Sequence, residues 1–318
     1  MRPLVMLLAS PRGYCAGVER AIRAVEKALL RFGAPVYVRH EIVHNPFVIA
    51  ELKAKGAVFV QELDEVPECA AVVFSAHGIP KSVRADAERR QLIYIDATCP
   101  LVTKVHREVE HHVAAGRQVI LIGHADHPEI VGTMGQVSSG TVTLVQTVAD
   151  AVALPIEPAK LYAYATQTTL SLTDTAEIVA ILRRRIPRLY GPARSDICYA
   201  TTNRQEAVKS LAERCDAVIV VGGPNSSNSR RLVDAAMRAG RPATLIGSAQ
   251  ELKLSFLEGV NRVGATSGAS TPEALVTDLI DYLSEQFDLS VEEMVLAKES
   301  IQFNLPPITR HGAKRPTV

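Results

Sequence analysis

The sequence predicts an α/β fold of mostly parallel sheets, on three observations. Short β-branched runs alternate with helical segments along all 318 residues. Several of those runs are apolar throughout, as strands covered on both faces are. And three cysteines, Cys15, Cys99 and Cys198, each follow a strand-like run and precede a helix-like one. Their intervals each match one small α/β unit. The chain therefore reads as a coarse threefold repeat over 16–98, 99–197 and 198–284, with the N-terminal strand of 1–15 joining one sheet. Identity between the units is negligible, so the repeat is one of architecture.

The first strand is expected over 4–9. Its apolar stretch stops at Ala9 and runs straight into the Cys15 motif, which favours a buried strand over a signal peptide. Further strands are expected over 36–39, 58–60, 72–75, 93–96, 119–123, 142–145, 162–165, 217–222, 243–246 and 262–265. Helical patterning covers 17–31, 101–115, 173–185, 202–213, 228–239 and 271–285. Thr173, Thr202 and Thr271 offer N-cap oxygens, and Pro272 suits a first helical turn. Alternating strand and helix implies right-handed crossovers. Residues 285–318 read as a C-terminal tail packing on the body, with 301–307 extended and the end from Thr309 frayed or disordered.

Composition narrows the function classes. Apolar content of 47% and charge of 22% fit a soluble enzyme with a sizeable core. A net charge of +1 argues against nucleic acid or an anionic membrane as partner. No apolar run approaches the roughly 20 residues of a membrane span. Five cysteines without a C-x-x-C pair exclude a disulfide scaffold and a zinc ribbon, and point to the cytoplasm. Cys69 and Cys215 flank strand-like runs and are expected to be small buried hydrophobes. The other three, at successive strand ends, can point at one centre and hold a metal or cluster with a position left for substrate.

Ligands of open α/β sheets bind beyond the carboxyl ends of strands, and here those ends are polar. His44 and Asn45 follow one strand, Ser75 to Gly78 with His77 another, and His124 to Glu129 with His127 a third. Thr166 to Thr169, Gly222 to Ser229 and Thr266 to Ser270 follow three more. The segment with Ser226, Ser227 and Asn228 opens a helix and resembles an anion cradle without a Walker lysine. A solvated turn would explain it equally, Ser270 could be only a cap, and His44 or His77 alone could be structural. Glu129, beside Pro128, reads either as a helix-dipole carboxylate or as a proton donor beside a metal.

Taken together the motifs resemble one family. Pro-Arg-Gly-Tyr-Cys15-Ala-Gly, Glu-Ile-Val-His44-Asn, Ser-Ala-His77-Gly, Asp-Ala-Thr-Cys99-Pro, Gly-His-Ala-Asp-His127-Pro-Glu129, Thr-Gln-Thr168-Thr, Asp-Ile-Cys198-Tyr-Ala-Thr-Thr-Asn-Arg-Gln and Asn-Ser226-Ser227-Asn228-Ser occur in order over about 5–305. They are similar to those of the 4-hydroxy-3-methylbut-2-enyl diphosphate reductase (IspH/LytB) family. The resemblance implies a trefoil of three pseudo-threefold-related α/β units around a central [4Fe–4S] cluster. Cys15, Cys99 and Cys198 would hold it, with the fourth iron open for the substrate alcohol. It also implies a diphosphate site of His44, His77, His127, Ser226, Ser227, Asn228 and Ser270. Thr168 and Glu129 would face the hydroxyl that leaves as water. Electrons would come from a ferredoxin or flavodoxin, and the products would be isopentenyl and dimethylallyl diphosphates, ending the non-mevalonate pathway.

Two competing readings use the same residues. A Cys₃ zinc hydrolase would use Glu129 as general base on zinc-bound water. A non-enzymatic iron–sulfur or diphosphate sensor would use the pocket without turnover. Iron and sulfide content separates the first from a cluster enzyme, and turnover separates the second.

Overall fold

In the computed structural model of the chain, which describes residues 1–309, the alternation resolves into three sheets with helices packed on them. The chain runs from β1 (Pro3–Ser10) through α1 (Ala16–Phe32), β2 (Val36–Arg39), α2 (Pro46–Ala54), β3 (Ala57–Val60), β4 (Ala71–Phe74) and α3 (Lys81–Arg89) to β5 (Ile93–Asp96). The next stretch holds α4 (Pro100–Ala114), β6 (Gln118–Ile122), α5 (Pro128–Met134), β7 (Val142–Val145), α6 (Val148–Ala153), β8 (Tyr162–Thr166), α7 (Leu172–Arg185) and β9 (Leu189–Tyr190). Then come α8 (Tyr199–Arg214), β10 (Ala217–Val221), α9 (Ser227–Arg238), β11 (Ala243–Ile246), β12 (Arg262–Ser267) and α10 (Glu273–Gln286). The described chain closes with β13 (Asp288–Val295) and β14 (Ile308–Thr309).

Strand order is β14-β5-β4-β2-β3 in one sheet, β7-β6-β8-β9 in the second and β11-β10-β12-β1-β13 in the third. Every pairing is parallel except β14 with β5. Parallel strands need crossovers, and the crossovers cover both sheet faces. That is why β4, β8 and β10 are buried at every residue. Each sheet carries its own apolar core. Examples are Val38, Val73 and Ile95 in the first, Ile120, Ile122 and Leu182 in the second, and Met6, Ile219 and Leu279 in the third. The N-terminal strand β1 sits between β12 and β13, so the chain's start and its late strand complete the third sheet together.

Several expectations are corrected. The helices of 173–185, 202–213 and 271–285 begin at other caps than the threonines. Ser171, Cys198 and Pro272 hold the extended backbone that precedes them. Residues 288–295, expected as the start of a tail, form edge strand β13. Most of its side chains are exposed, so it shows no apolar run. Cys69 is exposed, not buried. It occupies a turn with φ of 61°, a left-handed conformation set by the turn. Cys215 is buried as expected. Thr309 is not frayed but pairs with Tyr94, and the expected disorder beyond it lies outside the described residues.

Residues 296–307 form an extended strap over the body. Arg20 Nε donates to the Asn304 carbonyl while its Nη1 reaches the carbonyls of Ala97 and Thr98. Arg204, fully buried, donates to Glu299 Oε1 at 2.9 Å and to the carbonyls of Gly13 and Ala200. One guanidinium thus ties the strap, the Cys15 loop and α8 together. Glu299→Ala leaves that buried charge without its carboxylate. The expected loss is about 1–3 kcal/mol, read as a lowered denaturant midpoint under anaerobic conditions. An unchanged midpoint would show that the strap is not held this way.

Candidate active site

Cys15, Cys99 and Cys198 are the N-cap residues of α1, α4 and α8. All three line a single cavity between the sheets. Three helix N-termini, each the positive end of a dipole, therefore face the same space. Gly17 lets the thiols approach. A Cβ there would lie 2.7 Å from Cys99 Sγ and 3.9 Å from Cys15 Sγ.

Burial pushes the Cys99 thiol up to about 12, with Cys15 adding repulsion, and Cys198 up to about 11 for the same two reasons. The amides of Leu101 and Val102 pull Cys99 the other way without forming a cap hydrogen bond. Three thiolates cannot share this space without a cation among them. Iron–sulfur centres meet that need, since thiolates are their usual ligands. Among the described residues, no three His, Cys, Asp or Glu side chains gather closely enough for a single metal ion.

The cysteine backbones are pinned to the polar loops in a threefold pattern. Cys15 N donates to Ala269 O, Cys99 N to Ala76 O and Cys198 N to Thr168 O, at 2.9–3.1 Å. Each acceptor lies in the loop that leaves the end of a central strand: β12, β4 and β8 respectively. A second set of bonds anchors these loops. Gly268 N, Ala76 N and Gln167 N donate to the carbonyls of Val221, Ile42 and Ile122. The threefold repeat is thus visible as repeated backbone bonding where the sequences share nothing.

The expected polar residues line the same cavity. His44 and His77 stack with centroids 4.2 Å apart, and His127 meets both edge-on at 5.5 and 5.6 Å. The amide of Glu129 donates to His127 Nδ1, so the His127 proton is on Nε2. Burial, then repulsion from His44, holds His127 down to about 3 and His77 well below its usual range. Ser226 caps α9 by accepting from Ser229 N, and Ser227 and Asn228 form its first turn. Asn228 Oδ1 accepts from Ala269 N, which orients its Nδ2 as a free donor. Ser270 Oγ donates to the His44 carbonyl. His44 Nε2, His77 Nδ1 and Asn228 Nδ2 are buried without partners. Buried polar atoms are rarely left so, and these three share one cavity.

Glu129 is 2% exposed, which removes the reading of it as a surface helix-dipole residue. Its Oε1 accepts from Thr168 N at 2.7 Å, and its Oε2 lies 2.9 Å from Thr168 Oγ1. Burial raises its carboxyl to about 7 despite those bonds. A proton is therefore available there near neutral pH, in the wall of the thiols' cavity.

Sequence reading missed three contributors. Gly17 was read only as a helix start, and its role emerges from the nearness of Cys99. Gly78 adopts φ of 89°, and a Cβ there would lie 2.7 Å from His106. Arg204 stood in the Thr-Asn-Arg-Gln motif, and a buried arginine inside an apolar helix pattern was the available signal.

The LytB protein family matches residues 6–284. The 4-hydroxy-3-methylbut-2-enyl diphosphate reductase of Phenylobacterium zucineum is 57% identical over 305 residues, covering 96% of this chain and 97% of that protein. The enzyme of the same name from Cereibacter sphaeroides is 56% identical, covering 99% of each. The solved structure of the E-1-hydroxy-2-methyl-but-2-enyl-4-diphosphate reductase from Plasmodium falciparum superposes with a TM-score of 0.93. It is 38% identical and 96% of each chain is covered.

Gly17→Ala separates helix stability from cofactor retention. Alanine favours the helix by about 1 kcal/mol, yet its Cβ would press on Cys99 Sγ. We expect an intact fold by circular dichroism with a clear fall in iron and sulfide per chain. Full iron content would refute the close-approach argument.

Proposed function

Because the chain belongs to the LytB family of 4-hydroxy-3-methylbut-2-enyl diphosphate reductases, we propose that its cavity binds a [4Fe–4S] cluster and the allylic diphosphate side by side. The chain is an oxidoreductase of the terminal step of the non-mevalonate route to isoprenoids. The net reaction takes two electrons and two protons, releases the 4-hydroxyl as water, and yields isopentenyl or dimethylallyl diphosphate. A one-electron carrier such as ferredoxin or flavodoxin would supply the electrons. Among the described residues no helix is long and apolar enough to cross a membrane.

The observation that carries the site assignment is the set of unpartnered buried donors beside the three thiols. Cys15, Cys99 and Cys198 would hold the cluster. When bound, it would supply electrons singly and, at an iron without a protein ligand, Lewis acidity toward the allylic oxygen. His44, His77, His127 and Asn228 offer directed N–H donors for the diphosphate, and Ser226, Ser227 and Ser270 offer hydroxyls. The first turn of α9 adds its dipole. Among the described residues, no lysine or arginine lines this cavity. Recognition then rests on many directed donors, which read the shape of a diphosphate more closely than the point charges of lysine do.

Glu129 would supply protons through Thr168. Protonated Glu129 can donate from Oε2 to Thr168 Oγ1, freeing the threonine hydrogen to reach the leaving hydroxyl. In its acid form Glu129 carries no charge to repel the diphosphate.

Glu129→Gln keeps the hydrogen bonds to Thr168 but has no acidic proton. Turnover should fall about 10²–10⁴-fold with iron content retained. The acid form of Glu129 exists below about 7 and is lost above it. Wild-type kcat/KM should therefore decline as pH rises through that region, and the Gln variant should lack this alkaline limb. A near-normal rate under saturating reductant would remove Glu129 from the proton path.

A further inference from the structure

Outside the buried cavity, His44 has a partner that the reaction reading leaves without a role. Glu41 Oε2 lies 3.0 Å from His44 Nδ1 and accepts a 2.7 Å bond from Asn225 Nδ2. Resting on the reading of the cavity as the diphosphate site, we propose that Glu41 is a positioning residue that sets the tautomer and charge of His44 for diphosphate binding.

A carboxylate can only accept, so His44 Nδ1 must be its donor. That leaves Nε2, buried and unpartnered, as the ring atom available to the cavity. In a neutral ring Nε2 would carry a lone pair and repel a phosphate oxygen. With Glu41 accepting from Nδ1, a bond from Nε2 to a phosphate oxygen requires a ring that carries a proton on each nitrogen. The bond from Nε2 to phosphate then becomes charge-assisted, roughly twice as strong as a neutral one. His77 and His127 face His44, and neither has a carboxylate partner among the described residues. His40 and Arg230 also act on these two rings through space.

Asn225 gives the contact a second consequence. It immediately precedes Ser226, the cap of α9, whereas Glu41 precedes α2 on the opposite wall. Glu41 therefore joins the histidine loop to the Ser-Ser-Asn loop across the rim of the site. The half-exposed carboxylate lies below its usual range, chiefly because of His44 and secondarily Asn225, against its partial burial.

The test is a double-mutant cycle read by KM, kcat and competitive inhibition by inorganic diphosphate. Glu41→Gln should raise KM and the diphosphate inhibition constant about ten-fold. Saturated kcat and iron content should stay within about two-fold of wild type, because the residue acts on binding. Glu41→Asp, which restores the charge, should recover part of the loss. In a His44→Ala background the Gln substitution should add almost nothing, since its effect passes through the ring. Unchanged constants in Glu41→Gln, or the same loss with and without His44, would overturn the role of Glu41 alone. Unchanged constants in His44→Ala itself would instead overturn the diphosphate site on which the proposal rests.

Discussion

Three half-buried thiols facing one space is the constraint on which the rest of the structure depends. Burial and mutual repulsion push the thiols of Cys99 and Cys198 far up. Such a grouping is unfavourable unless a cationic body is to sit among them. The features around it reduce the same cost. Three helix N-termini converge on the sulfurs, Gly17 makes room, and Arg204 ties the Cys15 loop to α8 and the strap. The apolar cores of the three sheets serve to hold those helix ends in place.

The same geometry would couple the proposed cofactor and substrate sites. Each cysteine amide is bonded to a loop that carries, or directly precedes, a proposed substrate contact: His77, Thr168 or Ser270. A shift of any cysteine backbone would therefore move a substrate-facing loop. Hydrogen bonds of about 3 Å between rigid strand ends transmit such shifts with little slack. The proposed proton source is tied to the same wall: Glu129 accepts from the amide and lies 2.9 Å from the hydroxyl of Thr168.

How much was legible in the sequence depended on whether local pattern and tertiary role coincide. The central strands were readable because burial on both faces leaves apolar runs, as in β10. The cysteines stood out because each marks a strand-to-helix junction. Strand β13 was not readable, since an edge strand exposes residues such as Glu292 and Glu293 and loses that signal. Cys69 misled because proximity to a strand says nothing about a left-handed turn before it. Helix caps misled because Cys198 and Pro272 can hold extended backbone without the usual cap oxygen. The residues that line the cavity stood in recognisable motifs. Their geometry, and the contacts of Gly17, Arg204 and Glu41, come from loops distant in sequence and have no local signature.

The central claim is that the convergent thiols hold one iron–sulfur cluster. Anaerobic quantification of iron, zinc and acid-labile sulfide per chain in the freshly purified protein tests it most directly. The account predicts about four iron and four sulfide, with little zinc. A colourless protein with stoichiometric zinc and no sulfide would contradict it.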